Sequence, residues 1–212
     1  INYLEVHTEN FEQSSFWKKN AHLLLIFYLH DKEKDLLDYL IKLVEDWEYP
    51  NQDLIIIKKD WELINQKIKD GKAHELSEGD TFYLGACTKG STAAKSLRKQ
   101  PFNEIKAKQR AYSLKQGYVN HIIASIAQEE QESYGKIITQ GSILTHLKSI
   151  EEIVISKFEP YYGKTPIEIE NIFNLELNRK AKSYFANLTK AILGIGLNKK
   201  IEEFEKADIQ VK

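Results

Sequence analysis

The chain has 212 residues, of which 42% are hydrophobic and 29% are charged, and its formal net charge is −1 at pH 7. This composition predicts a globular protein of one or two domains and argues against wholesale disorder. The longest apolar run, Leu23–Leu29, is far shorter than the ~20 residues that a membrane-spanning helix needs.

Cysteine and histidine usage limits the possible metal and redox chemistry. Cys87 is the sole cysteine, which excludes an internal disulfide and a cysteine-only zinc cluster. The six histidines have no paired spacing typical of a metal site, and the N-terminus lacks a signal-peptide pattern. We therefore expect a cytoplasmic protein without membrane contact, and we predict no metal-ligand residue.

The sequence contains no methionine and stops inside the strand-like run Ile209–Lys212. We therefore expect it to be a piece of a longer protein.

Positive charge is concentrated in one stretch, Thr88–Gln116. It holds eight basic residues against the single acid Glu104, which gives a local net charge of +7 and leaves −8 for the remaining chain. A solvated face usually mixes both signs, so this stretch favours a polyanion such as nucleic acid as the partner. A basic loop on a lysine-rich protein is the alternative.

In chain order, the pattern predicts a buried strand at Ala21–Leu29, followed by Asp35–Glu48, which fits either a helix or a strand. Lys58–Asp70 is predicted to be a helix closed by Gly71, with a turn and a second strand at Thr81–Cys87 after it. A basic loop and a helix over Leu114–Ala127 follow.

The remainder begins with a polar connector at 128–149 and is then predominantly helical. We predict helices at Ile150–Phe158, after the capping box Thr165-Pro166-Ile167-Glu168, and at Arg179–Leu193 before Gly194.

The C-terminal run contains a possible remnant of a metal site. Metal-dependent nucleases place an acid at one strand end and Glu-x-Lys on the next strand, where the alternation of side chains puts Glu and Lys on one face. Glu203 and Lys212 fit the first acid and the lysine, but Gln210 stands at the second acidic position. The pattern favours a degenerate site or an ordinary amphipathic strand over a working one.

Two segments carry a family resemblance. Gly79-Asp80-Thr81-Phe82-Tyr83-Leu84-Gly85-Ala86-Cys87-Thr88-Lys89-Gly90 and Ala107-Lys108-Gln109-Arg110-Ala111-Tyr112-Ser113-Leu114-Lys115 resemble the MutH-like family, nearest to the type II restriction enzymes that cut at GATC. Phe11–Phe16 with the following strand, and the helix beginning Asp60-Trp61-Glu62, fit the same family.

The resemblance implies a mixed α/β fold of the restriction-endonuclease type and two tandem MutH-like domains. Residues 1–127 would be the C-terminal half of a catalytic-type domain, 128–149 a linker, and 150–212 the start of a second, degenerate domain. The parent enzyme would cleave double-stranded DNA with Mg²⁺, whose ligands would lie mostly outside this chain, and it would self-associate on DNA.

Family positions also imply roles for individual residues. Lys19 matches an auxiliary catalytic lysine, although an exposed lysine beside Lys18 is an equal alternative. The implied DNA-binding residues are Lys89, Arg98, Lys99, Arg110, Ser113 and Lys115, and the degenerate second-domain site comprises Glu203, Gln210 and Lys212. Ser113 stands where the mismatch-repair member carries a tyrosine used in sensing adenine methylation.

Two alternatives stay open. The chain could be a non-catalytic DNA-binding or allosteric module of a restriction or mismatch-repair system, or, more distantly, its two parts could pack as one permuted fold. An Asp followed by Glu-x-Lys encoded before Ile1 would favour the nuclease.

Overall fold

The computed structural model describes residues 1–90, 96–127, 134–138 and 150–211. The chain divides into two compact units, Ile1–Lys115 and Gln116–Lys212. Each unit mixes helices with short strands, so the predicted mixed α/β class is confirmed. The boundary precedes the helix that we assigned to the first domain, and the identity of the units as parts of two family domains stays a prediction.

In its described residues, the first unit contains three α-helices and six strands. The helices are α1 (Tyr3–Val6), α2 (Ser15–Asn20) and α3 (Asn51–Lys69), and the strands are β1 (Leu23–Leu29), β2 (Leu40–Trp47), β3 (Leu84–Thr88), β4 (Leu97–Gln100), β5 (Asn103–Lys108) and β6 (Arg110–Leu114). The strands form three antiparallel pairs, β1 with β2, β3 with β6, and β4 with β5.

The segment Asp35–Glu48, for which the sequence allowed a helix or a strand, forms strand β2 after a short 3₁₀-helix at Leu36–Asp38. The prediction that β1 is buried was wrong. Leu23, Leu25 and Phe27 are half-buried, whereas the alternate residues are exposed. An isolated two-stranded ribbon has two faces, and in the part of the chain that the structure describes only one of them is partly covered.

Helix α3 organises the core of the first unit. It begins at Asn51, earlier than predicted, and its residues Ile57, Trp61, Ile64 and Ile68 are almost completely buried. Their helical spacing aligns them on one face, and burying each side chain contributes ~1.5–3 kcal/mol. The predicted end is confirmed, because Gly71 adopts a left-handed conformation with φ of 69°.

The basic stretch after β3 was predicted to be a loop, and that prediction was wrong. Apart from residues 91–95, which lie outside the described residues, it forms the β4–β5 hairpin and strand β6. Strand β6 pairs with β3 from Leu84↔Leu114 to Thr88↔Arg110. Lysine-rich sequences have low intrinsic strand preference, so pairing with β3 and burial of Ala107 outweigh local propensity here.

The described part of the second unit contains five helices and a two-residue parallel strand pair. They are α4 (Gln116–Ile126), α5 (Ile150–Phe158), α6 (Pro166–Ile172), α7 (Tyr184–Leu193) and α8 (Glu202–Lys206), with β7 (Tyr134–Gly135) beside β8 (Lys200–Ile201). Most of the predicted connector at 128–149 lies outside the described residues.

Local signals in this unit were informative. Thr165 caps α6 by accepting a hydrogen bond from the Glu168 amide, and the Glu168 carboxylate accepts one from the Thr165 amide, so the predicted capping box is confirmed. Gly194 ends α7 with φ of 76°, also as predicted. Helix α7 itself begins later than the predicted Arg179, at Tyr184. Its Leu193 packs in a core cluster with Ile137, Ile195 and Ile201.

The predicted strand at the C-terminus is not observed at Ile209–Val211, and Lys212 lies outside the described residues. Instead, α8 closes with a Schellman motif. Asp208 is left-handed with φ of 57°, and the Ile209 amide donates to the Phe204 carbonyl at 2.8 Å. None of the helices in the described ranges is long and apolar enough to cross a membrane.

Candidate nucleic-acid interface

The β4–β5 hairpin is anchored to the end of α3 by two amide side chains. Buried Gln100 accepts a hydrogen bond from the Ala73 amide at 2.8 Å and donates to the Ile105 carbonyl. Asn103 donates to the Gly71 carbonyl at 2.8 Å. These bonds satisfy buried backbone groups that would otherwise be costly, and they fix the hairpin on the first unit.

The hairpin and the end of β3 present positive charge to solvent. Their exposed cations are Lys89, Arg98, Lys99, Lys106 and Lys108, and Glu104 is the exposed acid on the same hairpin. Arg98 donates to the Gln109 side-chain oxygen at 2.7 Å, which restrains its guanidinium. This surface, called the basic hairpin surface below, has the charge pattern of a polyanion-binding site.

Lys89 is held at the base of the hairpin by backbone bonds. Its amide donates to the Gln109 carbonyl at 2.8 Å, and the Gln109 amide donates to the Ser96 carbonyl at 2.6 Å. The predicted cations Lys89, Arg98 and Lys99 are therefore brought together on one unit, while their contacts with DNA stay predictions.

Arg110 does not occupy the position expected of a base-reading side chain, and that expectation is corrected. Its side chain is buried, and its two terminal nitrogens donate to the carbonyls of Ala86 and Leu76. A buried guanidinium whose two terminal nitrogens donate to backbone carbonyls is not positioned to reach a guanine edge. Arg110 instead ties β3 to the segment that follows α3.

Ser113 and Lys115 are more accessible. Ser113 lies exposed on β6 opposite Gly85. Lys115 is half-buried, and its amide donates to the Tyr83 carbonyl at 2.9 Å. Both side chains could reach a ligand beside β6, so their base-reading role stays a prediction.

Asp60 is a buried carboxylate that the sequence analysis did not single out. It accepts hydrogen bonds from the amides of Phe82, Tyr83 and Leu84 at 3.0, 2.6 and 2.8 Å. Burial raises the pKa of Asp60 to about 6, against the lowering effect of these amides and of the Lys115 charge. The sequence signal that could have identified Asp60 as buried is its position on the inward face of α3, one turn before Ile64.

Lys19 lies exposed in the last turn of α2, close in sequence to the start of β1. A cation at this end of a helix is favoured by the helix dipole, whether or not it has a further role. The auxiliary catalytic role implied by the resemblance stays a prediction.

The C-terminal residues do not fit a divalent-metal site. Both oxygens of buried Glu203 accept backbone hydrogen bonds, from Ile137 at 3.0 Å and Ile138 at 2.9 Å. Gln210 is exposed and neutral, and across the described ranges no cluster of three histidine, cysteine or acidic side chains could hold a metal ion. Glu203 therefore anchors the 137–138 backbone.

Two sequence comparisons show which known proteins this chain is similar to. The family model for the DNA mismatch repair enzyme MutH matches residues 1–60, which include α2, β1 and β2. The chain is 43% identical to the type II restriction enzyme Sau3AI of Staphylococcus aureus over an alignment of 223 positions that covers all of this chain. The chain spans 44% of that relative's length. The chain is therefore similar to the mismatch repair enzyme MutH over residues 1–60 and to a type II restriction enzyme over its whole length.

Proposed function

We propose that this chain is the DNA-recognising part of a type II restriction endonuclease that cleaves double-stranded DNA at GATC sites. The observation that carries the proposal is the basic hairpin surface, on which Lys89, Arg98, Lys99, Lys106 and Lys108 are exposed. Similarity to the mismatch repair enzyme MutH and to the type II restriction enzyme Sau3AI supports the same substrate class.

Phosphate contacts would supply most of the affinity. Each lysine or arginine that neutralises a phosphate releases condensed counterions, so binding weakens steeply with salt. Such contacts orient a protein on the duplex without reading its sequence. The rigid attachment of the hairpin through Gln100 and Asn103 suits this positioning role.

Sequence reading would fall to side chains beside β6. Ser113 and Lys115 occupy the segment that the family resemblance assigns to site recognition, and Ser113 is exposed. Lysine can donate to the O6 and N7 atoms of guanine in the major groove, a contact worth ~1–3 kcal/mol of discrimination. With Arg110 buried, Lys115 becomes the principal candidate.

The cleavage step is proposed for the complete enzyme and not for residues 1–212 alone. Mg²⁺ would require carboxylate ligands beyond those described, since Glu203 is occupied by the 137–138 backbone. Lys19 would act beside that centre as the auxiliary lysine. We also propose self-association on DNA and a cytoplasmic location, as in the family resemblance.

The proposal is tested by measuring how the affinity for a GATC duplex depends on salt. Replacing Lys89, Lys99 and Lys106 by alanine should reduce the slope of log affinity against log salt by ~0.9 for each phosphate contact removed. Lys164, Lys180 and Lys182 are exposed lysines of the second unit and provide a matched control set of three. Equal effects of the two sets would exclude the basic hairpin surface as the interface.

Recognition of the base sequence is tested separately, by comparing binding to a GATC duplex with binding to a scrambled duplex. We expect Lys115→Ala to weaken binding to GATC by about tenfold more than binding to the scrambled duplex, as for loss of one base contact. Equal weakening on both would reduce Lys115 to a phosphate contact.

A non-catalytic DNA-binding or allosteric module is the second candidate. It is favoured by the engagement of Glu203 with backbone amides, which leaves the second unit without its implied metal ligand. An Asp followed by Glu-x-Lys encoded upstream of Ile1 supports the nuclease, and a gene that starts near Ile1 supports the module.

A further inference from the structure

An exposed aromatic side chain stands at the tip of the β4–β5 hairpin. Strand residues Gln100 and Asn103 pair across a two-residue turn formed by Pro101 and Phe102. Phe102 is 76% exposed, although large aromatic side chains usually contribute most when they are buried.

The backbone at this position does not favour phenylalanine. Phe102 has φ of 60°, in the left-handed region, where glycine and asparagine are the usual residues of a turn that follows proline. A glycine would relieve this strain and remove the exposed apolar surface. Strained residues of this kind cluster at ligand-binding positions, which makes a role for the ring worth testing.

The turn is also rigidly supported. Asn103 donates to the Gly71 carbonyl at 2.8 Å, and Gly71 approaches the Phe102 carbonyl so closely that a Cβ at Gly71 would lie 3.1 Å from it. The Phe102 ring meets the His7 ring edge to face, with centroids 5.6 Å apart. The backbone that carries the ring is therefore held by contacts within the first unit, and the ring itself has one aromatic neighbour.

The surroundings of the ring indicate the chemistry of its partner. Lys99 and Lys106, both exposed, lie on the two strands that meet at this turn, and Lys108 lies further along β5. An apolar protein partner would have to desolvate these ammonium groups, whereas a nucleic-acid backbone would neutralise them.

We propose that Phe102 is an apolar DNA contact that packs against, or wedges between, the bases of the duplex while the flanking lysines bind its phosphates. Inserted phenylalanine side chains unstack a base step and bend the duplex. This inference rests on the proposed DNA-binding function and adds to it a contact that lysine substitutions do not test.

The test compares Phe102→Gly and Phe102→Leu with the unaltered chain. Tyr162→Ala serves as control, because Tyr162 is an aromatic residue of the second unit with a similar exposure of 67%. Affinity for a GATC duplex is measured at several salt concentrations. The bend is measured by energy transfer between dyes at the duplex ends, and the melting temperature of each variant is recorded.

Phe102→Gly should weaken binding about tenfold, within the range observed when aromatic–base contacts are lost. Its salt slope should be unchanged and its melting temperature equal or higher, because glycine fits the positive φ. Phe102→Leu should retain part of the affinity and of the bend, and Tyr162→Ala should match the unaltered chain.

Two results would overturn the inference, and they differ. If the unaltered chain binds duplex DNA in a salt-dependent manner and Phe102→Gly binds and bends it equally well, Phe102 is not a DNA contact, while the proposed function stands. If the unaltered chain does not bind duplex DNA, both proposals are wrong.

Discussion

Arg110 is a positively charged side chain that the fold uses internally. Its guanidinium bridges the carbonyls of Ala86 and Leu76, and a buried carbonyl left without a donor costs ~1–3 kcal/mol. The residue lies inside the most basic stretch of the sequence. The charge pattern of the sequence therefore could not show that Arg110 is buried while neighbouring basic residues are exposed.

We predict that Arg110→Lys lowers the free energy of unfolding by ~2–3 kcal/mol, because one ammonium group cannot reach both carbonyls. Urea unfolding of the chain measures this change, with exposed Lys108→Ala as the control that should stay within ~0.5 kcal/mol. The opposite result would be unchanged stability together with a loss of discrimination between GATC and scrambled DNA. It would show that Arg110 reads bases.

Glu202 is the centre of a charged cluster in the second unit. Its carboxylate lies 2.9 Å from the Lys206 ammonium, 3.5 Å from that of Lys136 and 4.0 Å from a ring nitrogen of His121. Burial acts to raise the pKa of Glu202, but the hydrogen bond from Lys206 and the neighbouring positive charges outweigh it and hold the pKa below its ordinary value of 4.5.

A depressed carboxyl pKa stabilises the fold above the unfolded-state value and loses that effect as the pH falls. We therefore expect the melting temperature to fall with decreasing pH below about 4.5. In Glu202→Gln this part of the pH dependence should be absent, whereas the exposed control Glu176→Gln should retain it. Parallel pH profiles for all three proteins would show that the cluster does not contribute.

At the scale of elements, the junction between α3 and the β4–β5 hairpin depends on a glycine. Gly71 is left-handed, and a Cβ there would lie 3.1 Å from the Phe102 carbonyl and 3.2 Å from the Asn103 Cβ. Both the backbone conformation and the close approach disfavour any side chain.

Gly71→Ala should lower the free energy of unfolding by ~1–2 kcal/mol or more, as expected for a non-glycine residue with positive φ. Gly79→Ala is the matched control, because a Cβ at Gly79 meets only the Ser77 hydroxyl at 3.7 Å. Chemical unfolding of both variants measures the difference. Equal stability would mean that the junction tolerates a side chain and that the hairpin is less firmly mounted than we infer.

Elements with strong local signals could be predicted from the sequence. The capping box at Thr165, the helix ends at Gly71 and Gly194, and the strand near Leu23 all depend on residues close to one another in the chain. The β4–β5 hairpin could not be predicted, because its lysine-rich strands are held by Gln100 and Asn103 contacts with the 71–73 segment. The C-terminal run Ile209–Lys212 was wrongly predicted to be a strand. The preceding helix ends at Asp208 in a left-handed conformation, which glycine or asparagine usually adopts.

At the scale of the molecule, the resemblance to MutH and to the type II restriction enzymes could be predicted from residue patterns. Which charged side chains are buried could not be predicted from those patterns. Arg110 and Glu203 are buried through contacts with residues 24 and 66 positions away along the chain. The two compact units differ in chemistry accordingly. The first exposes the basic hairpin surface, and in the second the implied metal ligand holds a backbone segment.

We propose that residues 1–212 recognise DNA without carrying a working metal centre. The most direct measurement is incubation of the purified chain with a GATC-containing plasmid and excess Mg²⁺, followed on one gel for both mobility shift and cleavage. We predict a salt-sensitive shift with no cleavage, because Glu203 is engaged by the Ile137 and Ile138 amides and Gln210 is neutral. Cleavage at GATC that is abolished by Glu203→Ala or Lys19→Ala would contradict the account.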